Sequence, residues 1–169
     1  MARTWRPLTC LLGILAALLS TNVRAQAPPE KKNWFDDPFF QLSSGLTACP
    51  VPLGPMLTEE EQRQQAHGRI ERGTRCFRAG QCQDFNAYRY DKTLAVPVQA
   101  ALQAVPGVAS SSVWVTIQRR WVFLEGCVSQ PALIPRLVQA AQAVPDVEAV
   151  VPLLMTGTRA KPRYAVQAP

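Results

Sequence analysis

The sequence predicts an α+β fold: a two-layer αββαβ module, two helices packed on one face of a three-stranded mixed sheet, with an N-terminal disulfide-linked extension. Three observations predict it. Val98, Ala101, Leu102 and Val105 recur at the i, i+3, i+4, i+7 spacing of an amphipathic helix, and Leu133, Leu137, Val138, Ala141 and Val144 form a second such stripe. Between them lie two alternating runs rich in β-branched and aromatic residues, 113–117 and 121–125, and a third apolar run follows from Val147 to Leu154. Four cysteines, Cys49, Cys76, Cys82 and Cys127, remain once the N-terminal leader is set aside.

The leader is residues 1–27. Arg3 and Arg6 precede an apolar core of about nine residues, Leu11–Leu19, and Ala25-Gln-Ala27 closes it. This is the pattern of a secretory signal peptide cleaved after Ala27, and the apolar core falls short of the ~20 residues that span a bilayer. No other segment is apolar enough to span, so no transmembrane segment is expected in the mature chain. The whole chain has 18 Lys and Arg against 12 Asp and Glu. The leader carries three of those arginines and no acid, which leaves 15 against 12, a net +3. So mild a balance gives no case for nucleic acid as a partner.

Residues 28–45 read as a flexible tether carrying an aromatic segment, Trp34-Phe-Asp-Asp-Pro-Phe-Phe40. Trp34, Phe35, Phe39 and Phe40 serve either to dock a partner or to anchor the segment on its own domain, since bulky aromatics gain most from burial. Residues 46–93 form the Cys-containing extension. Its one short helix, about 58–72, opens with Thr58 and Glu61 in a capping-box arrangement and stops near Gly73. Arg69, Arg72, Arg75 and Arg78 lie three apart; with a stop at Gly73 they share no face and form a solvated basic edge. Asn86–Asp91 interleaves aromatic and basic residues and reads as part of the domain's cover. Pro97 suits a first helical turn. Residues 94–156 hold the αββαβ module, and 157–169 read as a basic disordered tail.

An even number of cysteines in an exported chain implies disulfides. The only histidine, His67, is separated from Cys76 by eight residues, and Cys76 from Cys82 by five. Structural zinc sites use shorter pair spacing, so no metal is expected. If Ile117 faces Val122 across a hairpin, then Val113, Val115, Ile117, Val122 and Leu124 share one sheet face, while Trp114, Thr116, Phe123 and Cys127 point to the other. Two helices cover only the first face. A disulfide from Cys127 to Cys49 would hold the extension over the second, with Cys76–Cys82 as a local loop.

Val122-Phe-Leu124-Glu-Gly126-Cys-Val128, a short hairpin ending in an apolar–x–apolar–x–Gly–x–Val run, resembles the BON domain family, as does the following helix from Ala140-Ala141 to Pro145-Asp146-Val147. Gly126 is the structural glycine of that pattern. The family often has Gly or Asn in the hairpin turn, whereas this chain has Gln118-Arg119-Arg120, which favours a longer loop. The resemblance implies a non-catalytic periplasmic module, without cofactor, whose partner is a phospholipid membrane surface or an envelope protein. Trp114, Arg119, Arg120, Trp121 and Phe123 would carry the contact: aromatics suit an interface and arginines suit phosphate. An assembly role through a strand edge and the Trp34–Phe40 segment is the alternative. No nucleophile–base pair, phosphate loop or metal cluster points to an enzyme.

Overall fold

The computed structural model describes residue 1 and residues 28–167, so the leader and its cleavage site lie outside the described residues. Helices pack against a mixed sheet. In chain order the elements are β1 (Phe39–Ser44), α1 (Glu59–Arg78), α2 (Asp91–Gln103), β2 (Ser112–Gln118), β3 (Trp121–Val128), α3 (Leu133–Gln142), β4 (Ala149–Pro152) and β5 (Met155–Thr156). The sheet order is β1-β2-β3-β4, with β5 continuing alongside β3. β1–β2 and β2–β3 are antiparallel; β4 and β5 run parallel to β3, reached through α3.

The two sheet faces divide as alternation requires. Ile117 pairs with Val122 and Val115 with Leu124. Val113, Val115, Ile117, Val122 and Leu124 have no exposure and meet Leu94, Val98 and Leu102 of α2 and Leu133, Leu137 and Ala141 of α3 in one core. On the other face Trp114 and Cys127 join Cys49 and Met155, with Phe39 and Leu46 against them. The Cys49–Cys127 disulfide holds the extension there, and Cys76–Cys82 closes the local loop.

Gly126 lies in β3 opposite Val113, at φ 116°. A Cβ there would stand 2.2 Å from the Ser112 carbonyl oxygen and 3.1 Å from the Trp114 ring. Glycine is required both by the left-handed backbone and by the close approach of β2.

Five expectations need correction. The sheet has five strands, not three: part of the supposed tether forms β1, because Phe40 and Leu42 reach the main core while Phe39 turns to the second face. The apolar run 147–154 divides, β4 ending at Pro152 before β5 resumes at Met155. The helix of the extension does not stop at Gly73 but runs to Arg78. Gly73 is buried because Asn86 crosses it, leaving a Cβ only 2.3 Å from Asn86 Oδ1. The Thr58–Glu61 capping box forms as read.

Pro97 is the seventh residue of α2 rather than in its first turn, since that helix starts at Asp91. The tail is ordered through Gln167. Buried Tyr164 donates its hydroxyl to the Pro50 carbonyl at 2.8 Å, and Leu53 and Gln167 donate backbone N–H groups to Ala165 and Val51. One aromatic ring with three hydrogen bonds outweighs the polar composition of the tail.

Candidate functional site

The β2–β3 connection is a tight two-residue turn, not the longer loop expected. Gln118 pairs with Trp121, and both intervening residues are left-handed, Arg119 at φ 49° and Arg120 at φ 68°. That conformation costs energy for any residue other than Gly, Asn or Asp. Asp91 at the start of α2 offsets the cost: its carboxylate accepts the backbone N–H of Arg119 and of Arg120, each at 2.7 Å. Asp91 is 1% exposed, and burial pushes its pKa up to about 6 against the two hydrogen bonds that favour the charged form.

The turn gives its two arginines different tasks. Arg120 is turned inward, donating from Nε to the Asp146 carbonyl at 2.7 Å and from Nη1 to the Gln81 carbonyl at 3.4 Å, with its guanidinium 5.3 Å from the Tyr90 ring centre. It ties α2, the 76–82 loop and the α3–β4 turn together. Arg119 stays at the surface, its guanidinium stacked 4.0 Å above the ring centre of Trp121. Trp121 in turn lies 6.4 Å from Phe123, both half-buried.

Of the series on α1, Arg69 is also structural. It makes two hydrogen bonds to buried Asp37, at 2.6 and 2.9 Å, and lies about 4 Å from the centres of both Phe35 and Tyr88. Gln118 donates to the same carboxylate. Arg72 and Arg75 face another way. With Arg119, Trp121, Cys76 and Glu148 they line a concavity of about 310 Å³ between α1 and the hairpin turn. The ion pairs nearby are Arg69–Asp37 and Arg120–Asp146; among the described residues Arg72, Arg75 and Arg119 have none. The Trp121 indole N–H is buried without an acceptor among the described residues.

The structure therefore gathers Arg119, Trp121 and Phe123 of the expected contact set and removes two others. Trp114 is 7% exposed beneath the extension, and the Arg120 side chain is engaged internally. The Trp34–Phe40 segment lies against its own domain, the anchoring arrangement that stood beside docking. Phe35 lies under Arg69, Phe39 and Phe40 pack into the two cores, and Trp34, though 41% exposed, donates its indole N–H to the Leu57 carbonyl. Arg72 and Arg75 are exposed, as a solvated basic edge requires, but because α1 continues past Gly73 they border one concavity. The missing signal was helix continuity past Gly73, which the basic last turn, Arg75 and Arg78, would have supported.

Two further features bear on function. On the second face Glu125 is 9% exposed, with only the Thr116 hydroxyl at 3.5 Å, and burial pushes its pKa up to about 7. On the opposite flank, beside edge strand β4, Ile134, Pro135, Val138, Ala143 and Pro152 line an open apolar groove of about 640 Å³. No helix among the described residues is long and apolar enough to cross a membrane.

Residues 90–156 match the family model of the BON domain, less than half of the chain. The matched segment starts one residue before Asp91 and ends with β5. The BON domain is a non-catalytic binding domain associated with membranes and phospholipid, and the two disulfides are consistent with an exported protein. No curated protein and no solved structure matches the chain.

Proposed function

We propose, proceeding from the BON domain at residues 90–156, that the protein is a non-catalytic periplasmic module of the cell envelope, exported with cleavage after Ala27, that attaches to anionic phospholipid surfaces by its hairpin end. One observation carries this reading. The tight turn presents Arg119 and Trp121 to the same concavity as Arg72 and Arg75, where Glu148 is the only carboxylate. Each arginine near an anionic surface contributes about 1 kcal/mol, and aromatic rings suit the interface. Arg120 and Asp91 position the turn and do not themselves make the contact.

Co-sedimentation with phosphatidylglycerol-containing vesicles tests it. Attachment is expected to weaken as salt is raised, and Arg119→Glu is expected to lower it roughly tenfold. Attachment that ignores both Arg119→Glu and Arg72→Glu would overturn the assignment.

The apolar groove beside β4 favours a second reading, assembly with an envelope protein that covers α3 and the strand edge. Cross-linking from a cysteine placed at Gln139 tests it: a protein adduct supports the reading, and its absence alongside vesicle attachment opposes it.

A further inference from the structure

We propose that the pocket between α1 and the hairpin turn is a binding site for a phosphate monoester in its dianionic form. The inference deepens the membrane-surface reading and rests on its assignment of the hairpin end as the docking end. Three guanidinium groups border the pocket. Arg72 and Arg75 lie three apart on α1, Arg119 stands on the turn, and among the described residues none is committed to an ion pair. Glu148 is the one lining carboxylate, so the pocket carries a formal charge of +2, which a dianion neutralises.

The number of oxygens points the same way. A phosphate monoester presents three terminal oxygens to three arginine forks, whereas a diester presents two and a single charge. Trp121 lines the pocket as well, with the Arg119 guanidinium held 4.0 Å above its ring centre. The volume, about 310 Å³, admits a phosphate with a small organic group.

The walls are held before any ligand arrives. Asp91 fixes both turn amides, Arg120 bonds the Gln81 carbonyl and so joins the turn to the 76–82 loop, and the Cys76–Cys82 disulfide closes that loop. A site assembled in advance spends less of its interaction energy on ordering. Arg72 and Arg75 themselves are exposed on the helix surface, and their replacement leaves the core untouched.

A phosphate monoester reaches this site either as a free solute or as a lipid headgroup, and the experiment separates the two. The full mature chain is titrated calorimetrically with glycerol 1-phosphate and with glycerophosphoglycerol, a diester. It is also sedimented with phosphatidylcholine vesicles carrying either phosphatidic acid or phosphatidylglycerol at matched surface charge. The monoester is expected to bind at least tenfold more tightly than the diester. The combined Arg72→Gln and Arg75→Gln variant should abolish that preference at unchanged melting temperature. Should that variant melt early, Arg119→Gln, which keeps the amide bond to Asp91, replaces it.

Preference for phosphatidic acid vesicles together with the free monoester identifies a headgroup. Preference for the free monoester with no vesicle attachment upholds the pocket and sinks the membrane reading. Vesicle attachment without discrimination between monoester and diester, free or in lipid, overturns the pocket assignment and leaves the membrane reading standing. No binding in any arm overturns both.

Discussion

At the scale of single residues, Asp91 is the side chain on which the hairpin end depends. It supplies two oxygens to two amides of a turn that Arg119 and Arg120 would not choose for themselves. Asp91→Asn replaces one acceptor by an amide donor facing an N–H. The expected loss is about 1–3 kcal/mol of stability, measured by urea unfolding. Glu125 gives the opposite expectation. Its folded pKa, about 7, lies above the ordinary 4.5, so the folded chain holds the proton more tightly than the unfolded chain. Its contribution is therefore favourable below pH 4.5 and is lost as pH rises through 7, with Asp91 adding a similar loss between 3.8 and about 6. Glu125→Gln should raise the melting temperature at pH 8, by the equivalent of about 1–3 kcal/mol, and flatten the decline between pH 5 and 8. An unchanged pH profile would show that the carboxylate is solvated. Neither role was legible in the sequence. Asp91 meets the turn 28 residues away, and Glu125 is buried on the sheet face that the helices leave open, near Tyr164 of the tail.

At the scale of elements, what was legible is what repeats locally. The stripes of α2 and α3 and the alternation of β2 and β3 have periods of about 3.6 and 2, and each places its own core residues. The division of β2 and β3 into two faces led directly to the Cys49–Cys127 staple, because Cys127 falls on the face that the helices leave open. β1 was not legible: Phe39–Ser44 puts two apolar residues on one face and one on the other before two serines, too short a pattern to distinguish from a tether. The ordered tail escaped because its anchors, Tyr164 and the bridge from Val166 to Pro52, are partnered more than a hundred residues away. The staple closes 78 residues, so Cys49→Ser with Cys127→Ser should cost about 4 kcal/mol on loop-entropy grounds. Thermal unfolding measures it. A loss nearer zero would mean that the β1–β2 pairing and Tyr164 hold the extension unaided.

At the scale of the whole molecule, the segment that matches the BON domain model does not stand alone. β1 extends its sheet, the extension roofs its second face, and α1 brings two arginines to a hairpin end that holds only one free arginine of its own. The pattern resembling the family named the module, but the pocket is built mostly from residues outside the match, which is why the contact set read from residues 94–156 was incomplete. The same architecture leaves the β4 flank apolar and uncovered, so the molecule has two candidate working ends of opposite chemistry. The most direct test is an amide chemical-shift map of the mature protein against bicelles containing phosphatidylglycerol. Shifts are expected to be confined to Arg72–Cys76 and Arg119–Phe123. Shifts confined instead to Leu133–Gln142 and Ala149–Pro152, with the hairpin turn silent, would contradict it.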